Sequence, residues 1–171
     1  METPFRENSW SSIWRSITLI FVTVGTAHFD PLIQKMDELS KTGELNESII
    51  GQIGRGTYIP KYFRYFRFLK HLNRAYDKAS VIVSTGGAGT TMECVTRGLK
   101  LVVIENTTLM EGHQAQLLRE MEKRGHLIWC KNLDKIAASI EEAKKKTFTK
   151  FTTDDNLATK YIRELLENQQ H

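Results

Sequence analysis

Short apolar runs rich in β-branched residues alternate with segments of helical spacing along most of this 171-residue chain. The apolar runs lie at 17–24, 48–53, 65–68, 81–84, 101–104 and 126–130. Most of them end near a glycine and precede a segment whose apolar residues recur every three or four positions. This alternation predicts a parallel sheet covered by helices on both faces. We therefore expect an α/β fold with a doubly wound, Rossmann-like parallel sheet.

The first predicted helix has the clearest start. Asp30 is predicted as its N-cap and Pro31 as its first helical residue, because the fixed φ of proline suits that position. In the middle of the chain, a strand over 65–68 is expected to lead into a helix over about 69–79.

Composition excludes several classes of protein. Apolar residues make up 40% and charged residues 26% of the chain, which is typical of an ordered globular domain. The two cysteines, Cys94 and Cys130, are too few for a disulfide framework or a closed zinc site, which favours a reducing compartment. No apolar run reaches the roughly 18 residues that a membrane-spanning helix needs.

Three parts are predicted along the chain. A leader over 1–16 places Trp10 and Trp14 at helical spacing, either to pack on the domain or to contact a partner or a membrane surface. The α/β domain follows over 17–147. A hinge and an amphipathic C-terminal helix take residues 148–171.

The stretch Ser84–Thr90 is the most informative candidate site. A buried strand ends in small residues that open a helix, so backbone N–H groups and the positive helix end face a space that suits a diphosphate. Glu93, one turn into that helix, is placed to accept hydrogen bonds from a ribose. Glycines at such a junction also serve tight packing, which is the alternative. The stretch matches neither a Walker loop nor a complete G-x-G-x-x-G motif.

Two other loops are expected at the same edge of the sheet, where open α/β sheets bind ligands. Gly25 and Thr26 follow the first strand. His28, in the same loop, either binds phosphate or acts as an acid or base, or else it is an ordinary loop residue. His113 and Gln114 begin a later helix, where they either hydrogen-bond a sugar or cap the helix.

A basic and aromatic stretch lies at 61–78, which contains six Lys and Arg residues and one acidic residue, Asp77. Its aromatic residues at 62–68 suit either the stacking of single-stranded nucleic acid or one buried face of a strand. We consider nucleic acid the weaker interpretation, because an anionic membrane surface also accounts for the charge.

Five motifs in order resemble one known family over about residues 17–131. They are Phe21–Thr26 with Phe29-Asp30, Gln52–Thr57, Gly87–Thr90 with Glu93, Leu109-Met110 with His113-Gln114, and Gly125–Leu127 with Cys130. The family is the donor-binding subunit of the two-part UDP-N-acetylglucosamine transferase that adds the second sugar to dolichol-diphosphate-linked N-acetylglucosamine. The chain departs from the family at Thr85, where the family has histidine, at Gly86, where it has alanine, and at Ser80, where it has aspartate.

The resemblance implies the nucleotide-sugar-binding, C-terminal half of a GT-B glycosyltransferase that inverts the anomeric carbon. On this basis the diphosphate would bind Gly87, Ala88, Gly89 and Thr90, the ribose Glu93, and the N-acetylglucosamine His113 and Gln114. Gly25 and Thr26 would border the cleft, and His28 is the candidate catalytic residue of this chain. No cofactor and no metal are implied.

The resemblance also implies partners and a location. The partners would be UDP-N-acetylglucosamine, a membrane-anchored acceptor-binding subunit and a lipid-linked sugar acceptor. The chain would be a peripheral protein at the cytosolic face of the endoplasmic reticulum, acting in N-glycosylation, or at the plasma membrane in a prokaryote. The alternative is a nucleotide-sugar-binding regulatory module without transferase activity, for which Thr85 is the main support.

Overall fold

The structure is a computed structural model that describes residues 18–104 and 112–152, with the side chains of residues 112–114 outside the description. These residues form a six-stranded sheet and five α-helices. The strands are β1 (Leu19–Thr23), β2 (Ser48–Gln52), β3 (Arg64–Phe66), β4 (Ala79–Ser84), β5 (Leu101–Ile104) and β6 (Ile128–Cys130). The helices are α1 (Asp30–Thr42), α2 (Asn73–Lys78), α3 (Ala88–Arg97), α4 (Gly112–Lys123) and α5 (Ile136–Lys145). The leader predicted over 1–16 and the residues from 153 onward lie outside this part of the chain.

The sheet confirms the predicted doubly wound, Rossmann-like fold. Its strands run in the order β3-β2-β1-β4-β5-β6, and every neighbouring pair is parallel. The order reverses between β1 and β4, so the connections after these two strands leave toward opposite faces of the sheet. A crevice therefore opens at their carboxyl ends, which is where such sheets bind ligands.

Two apolar cores lie on the two faces of the sheet. In β1, Ile20 and Val22 face the core covered by α1 and α5, whereas Leu19 and Phe21 face the core covered by α2, α3 and α4. All five residues of β1 are buried. A strand buried on both faces shows a continuous apolar run in the sequence, which explains why the pattern identified it.

The start of α1 corrects one prediction. Phe29 is the N-cap and Asp30 is already the first helical residue, with Pro31 next to it. The Asp30 carboxylate is used elsewhere: it accepts hydrogen bonds from the Thr57 amide at 3.2 and 3.1 Å, the Thr57 hydroxyl at 2.5 Å and the Tyr58 amide at 3.1 Å. Asp30 therefore fixes the loop after β2 instead of capping its own helix.

The connection from β3 to α2 differs from the prediction in its boundaries. The strand ends at Phe66 and the helix begins only at Asn73. Helix α2 packs on β1 and β4, while β3 lies at the edge of the sheet beyond β2. The chain must therefore cross back over the carboxyl ends of β2 and β1, and residues 67–72 make this crossing.

Residues 148–152, expected to be part of a hinge, pack along the amino edge of the sheet. Phe148 is 9% exposed in the core beside α5, and Phe151 is 3% exposed in the opposite core. The Thr149 amide donates to the Gly125 carbonyl at 3.0 Å, and the Phe151 amide donates to the Val95 carbonyl at 2.9 Å.

His126 strengthens the attachment of this segment. Its ring is 3% exposed, its Nδ1 lies 2.8 Å from the Thr149 carbonyl oxygen, and it packs edge-on against Phe151 at 5.3 Å between centroids. The segment therefore joins both faces of the domain at the edge opposite the crevice. In the described part of the chain, no helix has the length and apolar character needed to cross a bilayer.

Candidate functional site

A cleft of about 590 Å³ opens at the carboxyl ends of β1 and β4. Its lining consists of Val24–Ala27 after β1, Gln52 of β2, Phe68–Lys70 and Leu72 of the β3–α2 connection, and Thr85–Thr90 with Glu93 from the start of α3. The cleft thus brings together these predicted site residues: Gly25, Thr26, Gly87, Ala88, Gly89, Thr90 and Glu93.

The glycine loop between β4 and α3 forms one wall of the cleft. Gly86 has φ +79°, a left-handed conformation that favours glycine. Gly87 and Gly89 have no positive φ, and nothing lies within 4 Å of the position that a Cβ would take at either residue. Neither backbone strain nor packing requires glycine at 87 and 89. Their missing side chains leave open space above the first turn of α3.

The N-terminus of α3 is suited to an anion. No side chain caps it: Gly87 is the N-cap, and its carbonyl accepts from the Thr91 amide at 2.9 Å. The helix dipole and the first-turn amides therefore direct positive potential toward the cleft.

Glu93 lies one turn further along α3, on the cleft side. Its Oε1 is 3.4 Å from Nη1 of Arg97, which lies one turn further toward the C-terminus of α3. The Glu93 side chain is 41% exposed. Thr90, in the first turn, forms a side-chain hydrogen bond with Tyr76 of α2. Burial raises the pKa of Tyr76 to about 12. Both polar residues of α3 that face the cleft are therefore tied to fixed neighbours.

The loop after β1 is supported from behind by the end of β2. The Gln52 amide group donates to the Gly25 carbonyl at 3.0 Å, and the Arg55 amide donates to the Ala27 carbonyl at 3.0 Å. Gly54 has φ +54°, and a Cβ there would lie 2.2 Å from the Ala27 carbonyl oxygen. A side chain at 54 would therefore push the β1 loop away, which gives a physical reason for the glycine in Gln52–Thr57.

Two carboxylates of α1 hold the chain that follows this turn. Burial raises the pKa of the Asp30 carboxyl, but the hydrogen bonds from Thr57 and Tyr58 outweigh burial and lower it below its usual value. Asp37 is 2% exposed and accepts from the Tyr58 hydroxyl at 2.7 Å, from the Lys61 amide at 2.9 Å and from the Tyr62 amide at 2.7 Å. The hydrogen bond to Asp37 raises the pKa of Tyr58 to about 12.

The connection from β3 to α2 contributes an apolar wall of the cleft, which the sequence did not predict. Phe68 is 50% exposed, and with Leu69 and Leu72 it faces the cleft, while Lys70 adds a positive charge. Nothing local in the sequence marks these residues as site residues, because they reach the cleft only through the crossing from β3 to α2. Gln52 belongs to the motif Gln52–Thr57, but the sequence alone indicates no role for it in the site.

The remaining predicted residues either do not line the cleft or have side chains outside the described residues. His28 is exposed in the β1 loop and does not line the cleft. His113 and Gln114 lie at the start of α4, but their side chains are outside the described residues, as are Leu109 and Met110. Across residues 18–104 and 115–152, no three His, Cys, Asp or Glu side chains gather in a way that could hold a metal ion.

Part of the basic and aromatic stretch is built into the fold, whereas its cations and the rings of Tyr62 and Phe68 are exposed. Phe63 and Phe66 are buried in opposite cores, and Arg67 donates to the carbonyls of Gly54 and Gly56 at 3.2 and 2.9 Å. The two rings held in the cores are not available to stack on bases, which weakens the nucleic-acid interpretation.

A family model described as the glycosyltransferase family 28 C-terminal domain matches residues 19–169. A human protein described as UDP-N-acetylglucosamine transferase subunit ALG13 is 38% identical over 122 residues, which are 65% of this chain and 11% of the relative. A protein of the same description from Yarrowia lipolytica is 23% identical over 138 residues, or 73% of this chain and 70% of the relative. The chain thus spans about a tenth of the human relative's length.

Among solved structures, the NMR solution structure of ALG13 superposes with a TM-score of 0.60. The match has 16% sequence identity and covers 86% of this chain and 95% of that one. At this identity the likeness concerns the fold.

Proposed function

The chain belongs to the glycosyltransferase family 28 C-terminal domain family, and on that premise we propose that it is the donor-binding, catalytic subunit of a UDP-N-acetylglucosamine transferase. Its fold is that of the C-terminal half of a GT-B glycosyltransferase. In the proposed reaction, N-acetylglucosamine moves with inversion from UDP-N-acetylglucosamine to a lipid-diphosphate-linked sugar, dolichol-diphosphate N-acetylglucosamine.

The open glycine loop carries this proposal. The space above Gly87 and Gly89 has no structural use within the described residues, and it lies at an uncapped helix N-terminus. A diphosphate fits this environment because amide N–H groups and the helix dipole stabilise its negative charge. Glu93, on the same wall, is then within one helical turn of the diphosphate and is assigned to the ribose.

We also propose positions for the other parts of the donor. We place the planar base against the apolar wall formed by Phe68, Leu69 and Leu72. His113 and Gln114 are proposed to bind the sugar, since α4 also begins at the carboxyl edge of the sheet.

Transfer requires stabilisation of the UDP that leaves. In the proposed mechanism, an acceptor hydroxyl attacks the anomeric carbon, its bond to the UDP oxygen breaks, and the negative charge that develops on the diphosphate is stabilised at the start of α3. His28 is the candidate on this chain for the base that removes the proton of the hydroxyl. Because His28 does not line the cleft, we favour a base supplied by the partner subunit.

The acceptor is proposed to come from a membrane-anchored partner. We propose that the chain binds this partner as a heterodimer at the cytosolic face of the endoplasmic reticulum, or of the plasma membrane in a prokaryote. The exposed cations Lys61, Arg64, Lys70 and Arg74 would face the anionic lipid surface.

The alternative function is a nucleotide-sugar-binding regulatory module. It is favoured by Thr85, which lines the cleft. The family that the chain resembles has histidine at this position. Both functions require UDP binding, so an assay of transfer with the membrane partner present separates them: transfer supports the enzyme, and binding without transfer supports the module.

Glu93→Ala tests the site directly. We expect UDP to protect the parent chain against thermal unfolding and expect the variant to lose most of this protection, because a charged hydrogen bond to the ribose is worth roughly 1.5–3 kcal/mol. Titration of each protein with UDP measures the difference. The exposed Glu44 provides a matched control, and Glu44→Ala should bind like the parent. Equal UDP binding by Glu93→Ala and the parent would remove Glu93 from the site.

Gly89→Ala tests the diphosphate position. A Cβ at 89 meets nothing within 4 Å, and alanine favours helix, so the free energy of unfolding should stay the same or rise by up to about 1 kcal/mol. The added methyl group occupies the space assigned to the diphosphate, so UDP binding should weaken by at least about tenfold, or 1.4 kcal/mol. Uridine, which has no diphosphate, is the control ligand. Unchanged UDP binding would place the diphosphate elsewhere.

A further inference from the structure

Glu93 presents an electrostatic difficulty for the proposed site. Its carboxylate lines the same cleft as the glycine loop, and an ionised carboxylate repels a diphosphate. A nearby cation would remove this repulsion while leaving a carboxylate oxygen for the ribose. Arg97 is such a cation, with Nη1 3.4 Å from Oε1 of Glu93.

Arg97 is itself held in place from α2. Its Nη2 forms an ion pair with Asp77, and its guanidinium carbon lies 5.7 Å from the centroid of the Tyr76 ring. Tyr76 is 2% exposed, so this platform is fixed in the core. Arg97 does not line the cleft, and it therefore acts on a ligand through Glu93.

These contacts contribute little to folding by themselves. The Arg97 side chain is 32% exposed and the Asp77 side chain 60%, and ion pairs at such positions usually add little to stability. The arrangement has a clearer use when a dianionic ligand lies beside Glu93, since Arg97 then offsets part of the negative charge of the two carboxylates and leaves a hydrogen-bond acceptor at Glu93.

We propose that Arg97 is a positioning residue of the nucleotide site, which orients Glu93 and offsets part of its charge so that its carboxylate can bind the ribose of a nucleoside diphosphate. The proposal rests on the function proposed above and adds a residue outside the cleft. It assigns Asp77 and Tyr76 the task of holding Arg97.

Arg97→Met in the full chain separates charge neutralisation from a general structural role. An uncompensated charge a few ångströms from a diphosphate at a protein surface should weaken UDP binding about tenfold, whereas uridine binding should change about twofold or less. Raising the salt concentration should reduce the UDP loss by screening. Arg97→Lys keeps the charge and should restore most of the UDP affinity. Lys123→Met removes an exposed cation from the last turn of α4 and is the matched control.

A second background makes the test specific to Glu93. In Glu93→Gln there is no carboxylate for Arg97 to orient, so adding Arg97→Met should weaken UDP binding clearly less than in the parent, by only the direct attraction between Arg97 and the diphosphate. Arg97→Gln is the second variant should Arg97→Met fail to fold, and it should show the same loss specific to UDP.

The outcomes distinguish a failure of the role of Arg97 from a failure of the proposed function. Equal losses for UDP and uridine, or a tenfold loss that persists in Glu93→Gln, would overturn the role of Arg97 while leaving UDP binding established. A parent chain that binds no UDP would overturn the proposed function and this inference with it.

Discussion

Asp37→Ala is expected to lower the free energy of unfolding by about 3–5 kcal/mol, because it removes a buried carboxylate that accepts hydrogen bonds from three donors. The donors are the Tyr58 hydroxyl and the amides of Lys61 and Tyr62, which hold the chain just before Phe63 enters the core. A loss of this size is a large fraction of the stability of an ordinary domain. Chemical denaturation of the variant and the parent measures it.

The neighbouring residue Glu38 provides the control for Asp37. It lies on the same helix with 69% of its side chain exposed and only a 3.8 Å ion pair to Lys35, so Glu38→Ala should stay within about 0.5 kcal/mol of the parent. Hydrogen exchange gives a local readout, since the amides of Lys61 and Tyr62 should lose protection in Asp37→Ala. Retained protection and a change under about 1 kcal/mol would show that other contacts hold this segment.

The sheet could be predicted because its signal is local. Each central strand is apolar on both faces, so β1, β4 and β5 appear in the sequence as continuous apolar runs that need no knowledge of their neighbours. The glycine loop was found for the same reason, since a strand, small residues and a helix follow one another directly in the chain.

The remaining features depend on residues far apart in sequence. Aspartate is a residue type favoured at N-caps, yet the partners of Asp30 lie 27 and 28 residues away in the loop after β2. This tertiary contact overrides the local preference. The apolar wall at 67–72 exists because β3 is an edge strand and α2 packs on β1. No short segment of the sequence determines the order of the strands.

Glu93 illustrates the boundary between these two kinds of signal. Its spacing to Arg97 is that of an ordinary i, i+4 pair and is visible in the sequence. The ion pair from Asp77 and the ring of Tyr76, which hold Arg97 in position, come from another helix and required the structure. A motif therefore locates the ligand-facing residue, whereas the residues that hold it in position emerge only from packing.

Two truncations that differ by five residues are expected to have very different effects. A chain that ends after Thr147 loses Phe148 and Phe151, one from each core, and leaves the buried His126 without the Thr149 carbonyl. Removing a large buried aromatic side chain costs about 3–5 kcal/mol, so losing two approaches the whole stability of a domain. We expect circular dichroism to show that this chain is unfolded. A chain that ends after Thr152 keeps these contacts and should remain folded.

The longer truncation also tests assembly. The residues it removes carry an apolar stripe at helical spacing: Leu157, Tyr161, Ile162, Leu165 and Leu166. We propose that this stripe joins the chain to its membrane-anchored partner, so the chain ending after Thr152 should lose co-purification and transfer. Residue 152 follows Phe151, which packs at the amino edge of the sheet, away from the cleft, so UDP binding should stay nearly unchanged.

A single substitution removes the ambiguity of a deletion. Leu165→Asp in the full chain should reduce co-purification, because a charge interrupts the apolar stripe, while thermal unfolding and UDP binding stay like those of the parent. The proposed docking role would be contradicted by a chain ending after Thr152 that still binds the partner. It would also be contradicted if that chain unfolded, since the stripe would then complete the domain's own core and the partner would have to bind another face.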